Sequence, residues 1–561
     1  MLFLYSFFYV AWPYSATFSE TTLSDKERLP LEFFLWMDPL SGLSAAIAAR
    51  CWNVSLIDAA IILPACLFFP RGFCGWLCPL GTLIDGFDWL AGRLVRPARH
   101  VRLVRQVRPV RQLSSPGTCS PAIQNPKSKI QNLRFYLLVA VLASSLFGVL
   151  LSGFVAAIPV LTRGLLFTAG RLQLGLMKDW SQVGPATLAL YLSVGMFAAI
   201  FLLSLFGPRF WCRHLCPTGA AFSAFSLFRV AERKVEESKC SGCGRCVEVC
   251  PFEAVNDNLT ARPLDCAFCQ TCGGACPTGA IRFTVGQVGN LSKSARNPLT
   301  EAAESPARQS GSRTDVPVPL KVSGQVANLS YSRRGFVLST LSGVSIALAA
   351  RLGFADGFRP KTKLLRPPGS LPEPVFLDLC VRCGECFKVC PGPVLHPAGL
   401  EGGFEALWTP VVVPTRAGCH QDCNFCTQVC PTRAIRPLTI AEKRKTHIGL
   451  AVINTQTCLA HVGERDCQLC FDECEAAGYH AIQMREIRLK VGEIPAGVYS
   501  EDEIEAMGRI KAPFVDTEAC VGCGLCEFRC HVALVRETKA LAHRAVVVVP
   551  ENEDRTPPQN M

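Results

Sequence analysis

Cys240-Ser241-Gly242-Cys243-Gly244-Arg245-Cys246-Val247-Glu248-Val249-Cys250-Pro251, answered by Cys266-Ala267-Phe268-Cys269-Gln270-Thr271-Cys272-Gly273-Gly274-Ala275-Cys276-Pro277, is the stretch on which the fold turns. Both halves read Cys-x2-Cys-x2-Cys-x3-Cys-Pro. Three thiolates on a tight loop can each reach a different iron of one cubane, and a fourth, three residues on, turns away to serve a neighbouring one. Proline after it stops the chain from running on as helix through the loop, and Gly242 and Gly244 let backbone N–H groups approach the sulfurs. Hydrogen bonds of that kind help to set a reduction potential.

Such a tandem is the two-cluster bacterial ferredoxin run, in which the fourth cysteine of each ladder ligates the other cluster. The expected [4Fe-4S] ligand sets are Cys240, Cys243, Cys246 with Cys276, and Cys266, Cys269, Cys272 with Cys250. An isolated Cys-x2-Cys would suit zinc, but four cysteines closing on Cys-Pro, twice over, argue against it. Four further ladders lie downstream, and crossed pairing gives four more sets: Cys380, Cys383, Cys386, Cys430; Cys419, Cys423, Cys426, Cys390; Cys458, Cys467, Cys470, Cys530; and Cys520, Cys523, Cys526, Cys474. Two first spacings are stretched, Cys419-x3-Cys423 and Cys458-x8-Cys467, and the last two ladders carry Glu475 and His531 where the others have proline. About six [4Fe-4S] clusters are expected, with iron held by these cysteines.

The chain has 561 residues, 49% hydrophobic, with a mean hydropathy of +0.26 and 31 cysteines. Its length and short regular spacings exclude a small disulfide scaffold. Five apolar stretches stand out: Leu2 to Tyr14, Val54 to Phe69, Leu133 to Val160, Pro185 to Phe206 and Phe336 to Leu352. A bilayer needs about 20 residues, which the third and fourth supply. Basic residues, among them Arg93, Arg96, Arg99, Arg102, Arg105, Arg108 and Arg111, crowd the loop between the second and third stretches, and Arg209, Arg213, Arg333 and Arg334 flank the segment after the fourth. Both segments should therefore be cytoplasmic, whereas Leu161 to Gly184, with only Arg163, Arg171 and Lys178, should lie outside. The net charge of +12 thus points to a membrane surface rather than nucleic acid.

Residues 286–328 read as a linker, followed by Ser332-Arg333-Arg334-Gly335-Phe336 and a modest apolar helix, the pattern of a twin-arginine export signal or of an ordinary basic anchor. Either delivers the chain beyond residue 353 to the far side. Two near-repeats, Phe73-Cys74-Gly75-Trp76-Leu77-Cys78-Pro79 and Trp211-Cys212-Arg213-His214-Leu215-Cys216-Pro217, mark a duplicated two-helix unit. Cys74, Cys78, Cys212 and Cys216 could hold another cluster, act as redox thiol pairs or border a quinol pocket. Cys51, Cys66 and Cys119 stand alone and read as packing residues. No apolar stretch holds a histidine, there is no Cys-x-x-Cys-His, and no phosphate loop or dinucleotide fingerprint is evident.

Taken with these motifs, residues 1 to about 285 resemble the membrane quinol-dehydrogenase subunit of NapH type, and residues 330 to 561 its ferredoxin-like partner of NapG and MauM type, so that the chain resembles a fusion of the two. The resemblance implies electrons taken from quinol, passed through clusters, and delivered to a periplasmic reductase or dehydrogenase. A maturation or reactivation factor, supplying electrons to a metalloenzyme without steady turnover, is the alternative. The expected fold is multidomain α+β, an α-helical membrane bundle plus several two-cluster bacterial ferredoxin-like (βαβ) modules. Its divisions are a membrane domain at 1–232, a cytoplasmic two-cluster ferredoxin at 233–285, the linker at 286–328, the signal-like helix at 329–353 and an exported four-cluster domain at 354–561. The expected setting is the bacterial inner membrane, crossed several times, with lipid and the quinone pool as partners and no nucleic acid.

Overall fold

A computed structural model describes residues 3–4, 32–94, 132–285, 333–351, 363–488 and 509–550, apart from short stretches at 53–55, 58–59, 63, 65–67, 70, 178–179, 181–182, 227–230 and 257–258. The linker 286–328, most of Leu2 to Tyr14, most of the arginine-rich loop, Cys66 and Cys119 lie outside the described residues. The chain forms two compact units. One comprises Met1–Ile62, Pro79–Thr218 and Val337–Met561, the other Leu63–Cys78 and Gly219–Phe336.

In the larger unit lie helices α1 (Pro39–Ala49), α2 (Pro79–Leu94), α3 (Leu133–Leu146), α4 (Ala157–Leu165), α5 (Leu188–Leu203) and, from Val337 on, α6 (Arg333–Arg351). Asp38 caps α1, accepting from Leu40 N at 3.2 Å, and Ser44 on α1 bonds Ser152 at 2.5 Å. Among the described residues only Leu188–Phe206 is long and apolar enough to cross a bilayer; α1, α3 and the apolar part of α6 are shorter. The expectation of one continuous span over Leu133 to Val160 is corrected here. α3 stops at Leu146, Gly148 turns left-handed at φ 76°, and the chain resumes as Ser152–Val155 and then α4. A residue with positive φ cannot continue a right-handed helix, so hydrophobicity alone misjudged the length. α6 approaches α3 so closely that a Cβ on Gly343 would lie 2.4 Å from the Ala140 carbonyl oxygen.

Three modules share one topology, an outer strand pair enclosing an inner one. In the smaller unit β1 (Ala231–Val235) pairs antiparallel with β2 (Ile281–Val285), with the bridge Val255–Ala261 inside. In the larger unit the bridge Ser370–Ile435 encloses β3 (Leu395–Pro397) on β4 (Pro410–Val412). There too β5 (Leu450–Ile453) on β8 (Val546–Val549) encloses β6 (Ile482–Arg488) on β7 (Arg509–Val515). Among the described residues all four sheets are two-stranded.

Helix ends obey the proline argument. The one-turn helices Arg245–Glu248, Thr271–Gly274, Glu385–Lys388 and Phe425–Gln428 all end two residues before a Cys-Pro. Where Glu475 replaces proline, helix Leu469–Ala476 runs through Cys474, and Leu525–Cys530 passes into a wider turn at His531. The loops also divide by spacing. In each Cys-x2-Cys ladder the residues on both sides of the second cysteine have positive φ: Gly242 and Gly244, Phe268 and Gln270, Arg382 and Gly384, Gly522 and Gly524. Asn424 and Gln468, which come after the second cysteine of the stretched ladders, do not, with φ −128° and −126°. Extra loop residues relieve the need for left-handed backbone.

Gly522 adds a steric limit to this conformational one, since a Cβ there would fall 2.2 Å from the Gly449 carbonyl oxygen, whereas Gly242 faces open space. Gly242→Ala should therefore cost only the left-handed penalty, about 1–2 kcal/mol, and keep all iron. Gly522→Ala must displace backbone, and should lose about four iron atoms per chain by colorimetric iron assay.

Candidate iron–sulfur centres

The fold brings the expected ligand sets together in crossed fashion. One cavity is lined by Cys240, Cys243, Cys246 and Cys276, a second by Cys380, Cys383, Cys386 and Cys430, a third by Cys474, Cys520, Cys523 and Cys526. For the other three sets the thiols act on one another electrostatically: Cys272 with Cys250 and Cys269, Cys426 with Cys419, Cys423 and Cys390, and Cys470 with Cys458, Cys467 and Cys530. Among the described residues no group of three or more His, Cys, Asp or Glu is drawn together as around a single metal ion. A cubane spreads its four ligands over four irons, so the crossed grouping is the relevant geometry.

The donors fit such a group. Every fourth cysteine receives backbone N–H groups: Cys250 from Ala254 at 3.3 Å, Cys430 from Ile435 at 3.4 Å, Cys474 from Ala481 at 3.3 Å, Cys276 from Ala280 and Ile281, Cys390 from Val394 and Leu395, and Cys530 from Ala545 and Val546. Burial pushes Cys383, Cys386, Cys426 and Cys526 well above the ordinary thiol range, and Cys423 and Cys523 up to about 12. Thiols so placed remain protonated by themselves and ionise on coordinating metal.

The four sets of the larger unit succeed one another in space. Cys386 lies within electrostatic reach of Cys426; Cys419 N donates to the Cys523 carbonyl at 2.8 Å; Cys526 feels Cys470. Buried Lys443 stands at the middle junction, its ammonium donating to the His420 carbonyl. Burial opposes its charge, but the Cys419, Cys423 and Cys523 sulfurs and Tyr479 outweigh burial and raise its pKa.

The first of these sets is bolted to the helices of its own unit. Thr162 on α4 donates to the Cys383 carbonyl at 2.8 Å, and Arg163 donates to the carbonyls of Gly153 and Arg382 at 2.9 and 3.1 Å. Arg163 also donates to Ser193 on α5 at 3.1 Å, with its guanidinium 3.9 Å from the Trp408 ring centre. Trp408 Nε1 in turn donates to the Ala189 carbonyl at 2.7 Å, and Arg382 donates to Leu150 O at 3.0 Å. From sequence Arg163 counted only as a loop charge; the structure buries it completely. No local signal marks such a residue, because all but one of its partners lie 30 or more positions away.

The two Cys-x3-Cys motifs repeat in backbone as well as in sequence. Arg71 and Arg209, each three residues before the first cysteine, are buried with φ 48°. Cys78 N donates to Phe73 O and Cys216 N to Trp211 O. In the smaller unit the first motif lies against the second ladder loop: Arg71 donates to Asp265 O at 3.1 Å, Trp76 Nε1 to Phe268 O at 3.3 Å, and a Cβ on Gly75 would be 3.5 Å from Cys269 Cβ. In the larger unit Arg209 binds Asp85, donating from Nε at 2.7 Å.

Crossed thiol sets inside ferredoxin-type modules define an iron–sulfur protein, and comparison with known proteins places it further. A 4Fe-4S binding domain model matches residues 54–97, which include Cys74 and Cys78, and the LdpA Fe-S cluster-binding domain model matches residues 208–260. The methylamine utilization ferredoxin-type protein MauM of Methylorubrum extorquens is 33% identical over 208 residues, 36% of this chain and 85% of that protein. Ferredoxin-type protein NapG of Escherichia coli is 32% identical over 190 residues, 34% of this chain and 73% of that protein. Ferredoxin-type protein NapH of Haemophilus influenzae is 27% identical over 302 residues, 50% of this chain and 84% of that protein. The chain belongs to the MauM and NapG family of ferredoxin-type proteins, with similarity to NapH besides. No solved structure matches it. Its cofactors are [4Fe-4S] clusters and its chemistry is electron transfer.

Proposed function

We propose that the chain is an integral membrane protein that accepts electrons from quinol and delivers them, through four [4Fe-4S] clusters of its exported part, to an oxidoreductase outside the cytoplasm. The carrying observation is the docking of the Cys380–Cys430 module onto α4 and α5, which sets its first thiol set against apolar helices. The spatial order of sets, beginning with Cys383 and ending with Cys470, supplies a direction leading away from them. When bound, the clusters supply one-electron redox chemistry; the protein's own residues bury the thiols, aim amides at them and hold the modules in sequence.

Apolar faces support the membrane setting. α5 and the turn after it expose Leu188, Tyr191, Leu192, Leu202 and Phe206, and α6 exposes Val337, Leu338, Leu341 and Ile346. Faces of that kind suit lipid rather than water. On this reading α5 and the 19-residue α6 cross the bilayer, α3, at 14 residues too short to span alone, packs on α6 at Gly343 and holds it as an anchor, and the 231–285 module with Cys74 and Cys78 serves the cytoplasmic side. Loop Leu161 to Gly184, expected outside from its charges, adjoins the module expected to be exported, so the two arguments agree on sidedness.

The test is anaerobic addition of a reduced short-chain quinol to the detergent-solubilised full chain, with cluster absorption followed in time. Bleaching of the visible absorption within the mixing experiment is expected. Clusters that stay oxidised with quinol yet reduce with dithionite would instead favour the maturation role.

A further inference from the structure

A cavity of about 300 Å³ lies within the larger unit between the start of α5 and the module carrying Cys380–Cys430. Its walls are mainly apolar: Phe167, Leu174 and Leu190 on the helical side, Phe387 and Val413 on the other. Phe387 stacks on Phe167 with ring centres 6.4 Å apart and directly follows Cys386 in the chain. Strand β3 forms another wall, and the amides of Val394 and Leu395, just before His396, are those given to Cys390. The cavity therefore touches segments that carry thiols of two successive sets.

One polar group there has no counterpart. Nε2 of His396 is buried and lacks a hydrogen-bond partner among the described residues, while its ring covers Gly184, where a Cβ would be 2.7 Å from Nδ1. Of the other polar groups in the lining, Arg171 donates to Gly184 O at 2.7 Å, and Glu401 accepts from Gly399 N at 2.8 Å. Burial first, then Arg416 and Arg171, push the His396 pKa down to about 4, opposed by its bond to the Pro393 carbonyl. At neutral pH the ring is thus an uncharged hydrogen-bonding group in an apolar chamber.

We propose that this cavity is a binding site for the ring of an isoprenoid quinol, with His396 Nε2, left as an acceptor by the Nδ1 bond to the Pro393 carbonyl, taking a hydrogen bond from one ring hydroxyl. The proposal rests on the quinol reading and gives it a place. The occupant is dictated by the chamber. Its volume is at the small end of ligand pockets, ~300–1,000 Å³, and suits a substituted ring without its tail. Leu190 contributes to the wall from the helix most able to cross a bilayer, whose neighbouring Leu188, Tyr191 and Leu192 are exposed and offer an apolar track for a prenyl chain. Buried polar groups ask for a partner, costing about 1–3 kcal/mol when left without one, and a quinol hydroxyl can provide it by donating to Nε2.

The experiment uses the full chain in detergent, a short-tailed azidoquinone for photolabelling and a radiolabelled short-tailed quinol, kept reduced under anaerobic dithionite, for equilibrium dialysis. Label is expected on peptides from residues 166–190 and 387–416. His396→Ala should weaken dialysis binding at least tenfold, and Leu174→Trp, which fills the chamber from the other wall, should do the same; both should retain wild-type iron. Should His396→Ala fail to assemble, the wild-type label and Leu174→Trp decide. Label confined elsewhere, or unchanged affinity in an assembled variant, overturns the site. Failure of the underlying quinol reading is seen separately, as quinol that leaves wild-type clusters oxidised.

Discussion

Replacing Arg163 by Met is expected to release the Cys380–Cys430 module from the helices and slow quinol-dependent reduction of the clusters at least tenfold. The guanidinium joins three segments at once: Gly153 O before α4, Ser193 Oγ on α5 and Arg382 O on the ladder loop. Met keeps the length of the stem against Trp408 but supplies none of these donors, leaving buried acceptors without partners. At about 1–3 kcal/mol for each orphaned group, the docked state loses ~3 kcal/mol or more. Some of that is returned, because a buried cation no longer needs to be desolvated. Arg163→Lys keeps the charge yet cannot fork to several acceptors, so it should fall between wild type and Met. The check is hydrogen–deuterium exchange: amides of 150–155 and 381–383 should exchange faster in the variant, with iron content unchanged. Exchange equal to wild type would show that the interface does not depend on this residue.

Much of this architecture can be read from residues close together in sequence, and the part that cannot be read is long-range. Ladder spacing leads to the expectation of crossed thiol sets because a three-cysteine loop and a fourth cysteine on the following helix are local geometry, and three cavities are each lined by the thiols of one such set. The proline rule likewise explains why helices stop before Cys250 and Cys390 but run through Cys474. Periodicity and hydropathy, by contrast, joined Leu133 to Val160 into one span, because a single left-handed residue at Gly148 leaves the average unchanged. The docking surface was invisible for a related reason. Thr162 and Arg163 look like ordinary residues near a helix end, and their value lies in carbonyls more than 200 positions away. His396, a lone histidine between prolines, carried no sequence signal at all; only its position against Gly184 distinguishes it.

Crossed ligation predicts an arithmetic that simple ladders do not. If Cys430 completes the set begun by Cys380, Cys383 and Cys386, then Cys383→Ala removes about four of roughly 24 iron atoms, and adding Cys430→Ala removes no more. Cys383→Ala with Cys390→Ala should instead lose about eight, since Cys390 belongs with Cys419, Cys423 and Cys426. Uncrossed ladders reverse the two doubles. The structure supports the first order of losses: Cys430 lines the cavity of Cys380, Cys383 and Cys386, and Cys390 acts electrostatically on Cys419. The amides agree, for Ile435 N aims at Cys430 while Val394 and Leu395 serve Cys390, so the two fourth cysteines are fixed by different strands. Iron and acid-labile sulfide per chain, measured on anaerobically purified single and double variants, decide it by a difference of about four irons between the two doubles. Because Cys386 lies within reach of Cys426, the loss of either set should also interrupt the path at its entrance. Both doubles should then lose quinol-dependent reduction of the Cys458 and Cys520 sets, while dithionite still reduces whatever clusters remain.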